Sequence, residues 1–338
     1  MRVLLHAYNT CCQNLAGGVQ NRIRKICALL VQRNIRAELF NPYQHKIDDF
    51  DILHIFMLKG ETLSLMRLAK NRGLKIVLSS IINTKGGWKI DLYNKILGKL
   101  PIATTYKTEY EAIHLADAII VETPNEARFI QNHYNVHSSK CLVIPNGVDK
   151  PLFHNGKEIF EVVSSPKFVL QVGRFDENKN QLNVIKALRG TNVEVVFIGG
   201  ADQISSEYYQ KCLQESNGCN NIHFLGWLEN TNPLFMSALR WADALILPSY
   251  HETFGLVLLE AGINGTKLLI SKTLPILEYE SLKDSYKFNP SDVKNIREVV
   301  LNSMNSGSNP QLKNNIEKEF SWDTVIKQHI NLYSDLLE

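Results

Sequence analysis

Two short segments hold most of the residues whose types and spacing could do chemistry on a charged, hydroxylated ligand. The first, Gly173-Arg174-Phe175-Asp176-Glu177-Asn178-Lys179-Asn180, follows an apolar run and opens a helical pattern. Arg174 and Lys179 would place a planar guanidinium fork and a point charge at a helix amino terminus, a setting that suits a diphosphate. On spacing alone the segment is equally a helix start with ordinary surface charges. The second, Pro248-Ser249-Tyr250-His251-Glu252-Thr253-Phe254-Gly255, also follows an apolar run and opens a helix. Glu252 there can accept the hydroxyls of a sugar, or it can simply cap the helix. Glu260 lies eight residues on, about two turns along the same face, where a carboxylate can bind a ribose. Gly255 permits close backbone approach to a ligand. Gly17-Gly18 offers the same freedom near the amino terminus. It lacks the G-x-G-x-x-G pattern, and no acid closes a second strand at the usual distance, so a dinucleotide fingerprint is unsupported.

These segments need elements to hold them. The first half alternates short apolar runs with helical spacing: strands at Val3–His6, Ala37–Phe40, Ile52–Phe56, Lys75–Ser79, Ala118–Glu122 and Cys141–Ile144, with helices at Val19–Gln32, Glu61–Lys70 and Asn125–Asn132. Pro145-Asn146-Gly147 is a turn signal, and the polar, aperiodic residues 150–165 read as a linker. The pattern restarts with strands at Phe168–Val172, Val193–Ile198, Ile222–Leu225, Ala244–Leu247 and Lys267–Ile270. Helices are expected at Asn180–Leu188, Ser206–Gln214, Gly255–Gly262 and Trp322–Leu337. Strands separated by helices imply parallel βαβ units. The expected fold is therefore α/β, two Rossmann-like doubly wound domains facing each other across a cleft. Residues 1–150 and 151–320 form the domains, and the chain ends in a helix at 321–338. Ligands in such sheets bind outside the carboxyl ends of the strands, which is where both charged segments fall.

Composition excludes several classes. The chain has 338 residues, 44% hydrophobic and 21% charged, ordinary for a globular protein and unlike a disordered or collagenous one. No apolar run reaches the ~18 residues of a membrane span, and the first residues are too polar for a signal peptide. Six scattered Cys without a CxxC pair suggest free thiols in a reducing cytosol. The net charge of +3 hides a split: residues 1–150 carry 20 Lys and Arg against 12 Asp and Glu, a balance of +8, and the remainder carries −5. A basic half favours an anionic surface, or is solvated surface charge.

Five motifs occur in order: Ile144-Pro-Asn-Gly-Val-Asp149, Val172-Gly-Arg-Phe-Asp-Glu-Asn-Lys179-Asn, Phe197-Ile-Gly-Gly200, Phe224-Leu-Gly-Trp227, and Pro248-Ser-Tyr-His-Glu252-Thr-Phe-Gly-Leu256 with Glu260. Together they resemble the retaining family-4 glycosyltransferases, the "glycosyl transferases group 1" type, of GT-B fold. The resemblance implies transfer of a hexose-type sugar from a nucleotide-diphosphate sugar to a glycan or lipid-linked acceptor, in surface polysaccharide or glycolipid biosynthesis. It also implies residue roles. Arg174 and Lys179 would clamp the diphosphate beside Gly173, stabilising the departing nucleotide. Glu252 would bind donor-sugar hydroxyls, and backbone N–H groups around Phe254, Gly255 and Leu256 would reach sugar and phosphate. Glu260 would hold the ribose, and the helix at 321–338 would cross back to brace the first domain. Gly226, Trp227 and Leu228 would border the base, Gly18 would lie under the diphosphate, and Asn146 would edge the cleft. Such enzymes need no cofactor and no bound metal. The lone Asp-x-Asp, Asp49-Phe50-Asp51, precedes a strand and reads as turn chemistry, and the His residues lack metal-ligand spacing.

One departure stands out. Relatives carry a His after the fourth strand, facing the donor sugar, where this chain has Ile81 in Ser79-Ser80-Ile81-Ile82-Asn83. His54, Ser80, Asn83 and His251 are then the candidates for the sugar or acceptor side. On the acceptor side, residues 85–107 interleave Lys85, Lys89, Lys95, Lys99 and Lys107 with Trp88, Ile90, Leu92, Tyr93, Ile96, Leu97 and Leu100. A basic helix with Trp and Leu can lie in a membrane interface, or its apolar face can pack in the core. The expectation is a cytoplasmic enzyme with peripheral contact at an anionic inner leaflet, and no nucleic-acid partner. The competing reading is a non-catalytic GT-B protein that binds nucleotide or a partner. A nicotinamide-dependent oxidoreductase lacks its glycine fingerprint.

Overall fold

The computed structural model describes residues 1–11, 13, 18–57, 59–82, 84, 86–93, 104–150, 155–202, 204–307 and 309–338. Gly17, Asn83, Lys85, Lys95, Ile96, Leu97, Lys99 and Leu100, all named above, lie outside them, as does Cys12. The chain forms two compact units, Met1–Asn146 with Trp322–Glu338, and Gly147–Ser321.

The first unit holds six parallel strands: β1 (Arg2–His6), β2 (Arg36–Leu39), β3 (Ile52–Phe56), β4 (Lys75–Ser79), β5 (Ala118–Val121) and β6 (Cys141–Val143), in the order β2-β1-β3-β4-β5-β6. Parallel strands are covered on both faces, so they read as apolar runs. Their two-residue period then supplies two cores. Leu4, Leu53, Ile55, Leu78 and Ile119 join α2 (Gly60–Asn71), α4 (Thr105–Leu115) and α5 (Pro124–Tyr134). Val3, Leu5, Ile52, Phe56, Val77 and Ile120 join α1 (Gly18–Val31) and α12 (Trp322–Leu337). A short helix, α3 (Gly87–Leu92), inserts Ile90 into the first core.

The second unit repeats the plan with β7 (Phe168–Val172), β8 (Glu194–Ile198), β9 (Ile222–Phe224), β10 (Ala244–Leu247), β11 (Lys267–Ser271) and β12 (Tyr286–Phe288), ordered β12-β11-β10-β7-β8-β9 and again parallel. Its helices are α6 (Gln181–Leu188), α7 (Ser206–Glu215), α8 (Pro233–Trp241), α9 (Leu256–Gly262), α10 (Val293–Met304) and α11 (Pro310–Phe320). Strands β3, β4, β7 and β10 and helix α12 match their sequence-based bounds. The linker reading of residues 150–165 needs correction: Ile159 and Val163 are buried in the core of the second unit, beside a short 3-10 turn at Glu158–Glu161. The helices α8 and α11 went unread, although Asn232-Pro233 and Asn309-Pro310 each pair a side-chain cap with a first-turn proline.

Both sheets reverse their order once, and open α/β sheets bind ligands at that switch point. In the first unit it lies between β1 and β3, and in the second between β7 and β10.

Candidate functional site

Strands β7 and β10 lie side by side, so the two charged segments leave the sheet as neighbours. Their exit loops are laced together. The Tyr250 amide donates to the Asn178 carbonyl at 2.9 Å, and Asn178 Nδ2 donates to the His251 carbonyl at 2.9 Å. Asn180, the residue before α6, takes a left-handed conformation that asparagine tolerates. Its buried Nδ2 donates to the Pro248 carbonyl at 3.2 Å and the Pro290 carbonyl at 2.7 Å. Gln171 Nε2 holds the Lys179 carbonyl, and Asp176 Oδ1 accepts from the Lys179 amide, both at 2.9 Å.

This lacing sets two side chains against each other. Lys179 Nζ donates to Glu252 Oε1 at 2.5 Å, and Ser249 Oγ donates to the same oxygen at 2.6 Å. Both ionic side chains are only partly buried, so they stay reachable. Glu252 is not the helix cap that its position allowed. Gly255, at φ 92°, occupies the residue before α9. Arg174 sits at the rim, with 54% of its side chain exposed, contacting Asp176 at 3.0 Å and Asp202 at 3.4 Å. A diphosphate arriving there meets a cation held by weak, exposed pairs and a lysine that can exchange one oxyanion for another.

The exits of β7, β8 and β9 close up beside them. A Cβ on Gly199 would meet the Gly173 carbonyl oxygen at 2.0 Å, so only glycine lets these two loops touch. A Cβ on Gly200 would meet Trp227 Nε1 at 2.5 Å: the indole lies on bare backbone and stays 62% exposed. Gly226 carries the turn before it, and its carbonyl accepts from the Gly199 amide at 2.8 Å. Leu228 and Leu256 pack partly buried on the core, and the Phe254 ring is buried against Tyr279 and Phe320. Glu260 is half-buried on α9, and its carboxylate has no protein hydrogen-bond partner among the described residues. Burial first, and the charge of Asp149 second, raise its pKa. Such a group gains from accepting a ligand's hydroxyls. His251 is exposed and Asn146 is buried at the end of the first unit.

In the first unit the structure corrects two expectations. His54 is fully buried, with Nδ1 2.6 Å from the Tyr333 hydroxyl, Nε2 2.9 Å from Ser79 Oγ, and its ring stacked on Phe56. Burial, then the charges of His329 and Arg22, hold its pKa well below the usual value. Ser80 is also fully buried, and its hydroxyl donates to Glu126 Oε1 at 2.5 Å. Neither side chain can meet a sugar. Tyr93 and Ile90 are likewise core residues, leaving Trp88, Lys89 and Leu92 facing outward on α3. Gly18 is the first residue of α1.

Sequence reasoning missed the charges beneath this sheet end. Arg22 on α1 is 2% exposed and pairs with buried Glu122, while its Nε and Nη2 have no hydrogen-bond partner among the described residues. Glu126 accepts from Ser80, from the Ile82 amide at 3.2 Å and from the Glu122 amide at 2.7 Å. Burial and then Glu122 push its pKa up to about 6. Ile81, between two of these anchors, has φ 44°, which for a β-branched residue is strained by roughly 1–3 kcal/mol. The Thr123-x-x-Glu126 pattern was a visible capping-box signal. Thr123 does cap α5, but the Glu126 carboxylate reaches elsewhere. Asp51 of the Asp-x-Asp accepts from the Arg2 amide and guanidinium at the amino end of the sheet, away from the exit loops.

Among the described residues, no group of three His, Cys, Asp or Glu could hold a metal ion, and no helix is long and apolar enough to cross a membrane.

Residues 20–150 match the family model described as Glycosyltransferase Family 4, and residues 155–319 the one described as Glycosyl transferases group 1. An uncharacterized glycosyltransferase of Methanocaldococcus jannaschii is 24% identical over 86% of this chain and 77% of its own length. A phosphatidyl-myo-inositol mannosyltransferase of Mycolicibacterium smegmatis is 25% identical over 66% of this chain and 54% of its own length. The chain thus spans about half of that relative. Among solved structures, sucrose-phosphate synthase of Thermosynechococcus elongatus superposes with a TM-score of 0.76 at 16% identity, covering 100% of this chain and 99% of the other. HepE of Anabaena, in complex with UDP and glucose, gives 0.72 at 15% identity over 99% and 100%. These likenesses establish the GT-B fold.

Proposed function

The chain belongs to the glycosyltransferases of the group 1 type, and from that premise we propose that it transfers a hexose-type sugar from a nucleotide-diphosphate sugar to a glycan or lipid-linked acceptor with retention of configuration. The observation that carries this reading is the Lys179–Glu252 pair at the β7/β10 switch point, with Arg174 at its rim. The anionic diphosphate takes Lys179 and Arg174, and the freed Glu252 turns to the sugar hydroxyls. As the glycosidic bond to the phosphate breaks, negative charge grows on the leaving diphosphate, where the two cations stabilise it without a metal ion. Glu260 accepts the ribose hydroxyls, and Trp227 offers its exposed indole to the base. Attack on the face the nucleotide leaves, assisted by the leaving phosphate, needs no protein base, which accommodates Ile81 in place of a histidine. That HepE is described with UDP and glucose, and a starch synthase with ADP and acarbose, supports a nucleotide-sugar donor.

For the acceptor, the +8 balance of residues 1–150 supports an anionic, lipid-linked substrate reached from the cytoplasmic side of a membrane. Trp88, 65% exposed beneath the Lys89 ammonium, is suited to a headgroup region. Co-sedimentation with vesicles should rise with anionic lipid and fall in Trp88→Ala; binding indifferent to both contradicts it.

The experiment for the activity is a thermal-shift screen of UDP, GDP, ADP and CDP on wild type and Glu260→Ala, followed by transfer from conjugates of the nucleotide that binds. A ligand at 100 times its Kd adds ~2.7 kcal/mol. One stabilising nucleotide, lost in the variant, upholds the reading, and no binding ends it. The second reading, a non-catalytic nucleotide binder, rests on Ile81. Binding without transfer or donor hydrolysis would favour it.

A further inference from the structure

We propose that Glu126 is a positioning residue for sugar transfer, holding the turn at the carboxyl end of β4 in the conformation that presents Ile81. The inference rests on the transferase reading above. Its observations are separate from the nucleotide site.

Glu126 is 2% exposed on α5, a helix anchored in the core through Ala127, Phe129 and Ile130. In a capping box its carboxylate would return to the backbone amide of Thr123, the capping residue. Instead one oxygen accepts from Ser80 Oγ and the Ile82 amide, the two neighbours of Ile81, and the other accepts from the Glu122 amide at the end of β5. One buried carboxylate therefore clamps the exits of two adjacent strands. The bonds are screened from solvent by burial, and burying a carboxylate is unfavourable unless its oxygens are well bonded. Glu122 in turn pairs with Arg22, so α1 is tied into the same cluster.

The clamp brackets the one isoleucine with a positive φ among the described residues. Core packing does not explain that conformation: Ile81 is half-exposed and joins no core cluster, whereas Ile82 packs inward. Backbone strain retained without a packing return points to a position set for a ligand. Its place agrees, at the carboxyl end of a parallel strand adjoining β3, where such sheets bind substrates.

The test compares Glu126→Gln, Ile81→Asn and the double variant by transfer kinetics, nucleoside-diphosphate affinity and amide hydrogen exchange across residues 80–82. Asparagine is at home at positive φ. Glu126→Gln should speed exchange at the Ile82 amide and lower kcat about tenfold, while the Kd for the nucleoside diphosphate changes less than about twofold. In the double variant kcat should return to within about threefold of Ile81→Asn alone, a non-additivity that general destabilisation does not produce. If Glu126→Gln does not fold, Ser80→Ala removes one of the three bonds and should cost about threefold in kcat. An active wild type whose kcat is indifferent to these changes, or single losses that simply multiply, overturns the proposal. A wild type that transfers no sugar ends the transferase reading, and the positioning role with it, and is distinguished by its inactivity from the start.

Discussion

The two units share an architecture, but the charged residues at their switch points are placed in opposite ways. At the switch point of the second unit, Arg174, Lys179, Glu252 and Glu260 stand at or near the surface, held by loops whose backbones bond to one another. In the first unit, Arg22, Glu122, Glu126, His54 and His329 lie beneath the sheet ends, fully enclosed. A reachable ion pair can exchange partners with a ligand. An enclosed one cannot, and serves to fix the loops above it. The comparison separates charges placed within reach of a ligand from charges that hold the backbone around them.

Variants can break that distinction. The largest expected effect is Arg22→Leu, which removes the cation of the buried pair with Glu122 and should cost roughly 3–5 kcal/mol in urea unfolding. Replacing Glu122 by Leu as well should recover most of it. Lys179→Ala should do the reverse: a fall of about 10²–10³ in kcat, with stability within roughly 0.5 kcal/mol of wild type. Equal losses of stability in both would erase the contrast.

The buried histidines sharpen it through pH. Burial, against a raising bond to the Val325 carbonyl, lowers His329 to about 4, and its Nε2 has no hydrogen-bond partner among the described residues. Its folded pKa lies below its unfolded value, so the unfolded chain takes a proton that the folded chain refuses. Stability is therefore lost as pH falls from about 6.5 towards 4, by ~2 kcal/mol at pH 5 from this residue. Glu126, raised to about 6, acts in the opposite sense, since its folded form binds the proton first as pH falls from 6 to 4.5. Urea titrations at pH 7 and pH 5 should show a smaller acid loss in His329→Leu than in wild type. The smallest effect is Ser249→Ala, which removes one bond to Glu252 and should raise the donor KM by several-fold, about 1 kcal/mol.

Legibility follows the same line. The two segments 173–180 and 248–255 drew notice in the sequence because each is a contiguous loop between an apolar strand and a helix. That Lys179 and Glu252 bond to each other was not readable, since 73 residues separate them and only the strand order joins them. In the first unit the polar residues at 22, 54, 80, 122, 126, 329 and 333 are dispersed, and each looks ordinary in its own segment. His54 drew attention as a strand-end histidine, but its partner Tyr333 lies 279 residues away on the last helix, so burial was invisible to spacing. The stretch 150–165 was misread as a linker for a related reason: Ile159, Phe160, Val162 and Val163 are too few and too closely spaced to show a period.

The central claim is that Lys179 exchanges Glu252 for the donor's diphosphate. Calorimetric titration of the stabilising nucleoside diphosphate into wild type and Lys179→Ala tests it most directly. The account predicts at least about a tenfold loss of affinity in the variant, about 1.4 kcal/mol, with Arg22→Leu unchanged wherever it remains folded. Equal affinity in wild type and Lys179→Ala would contradict it.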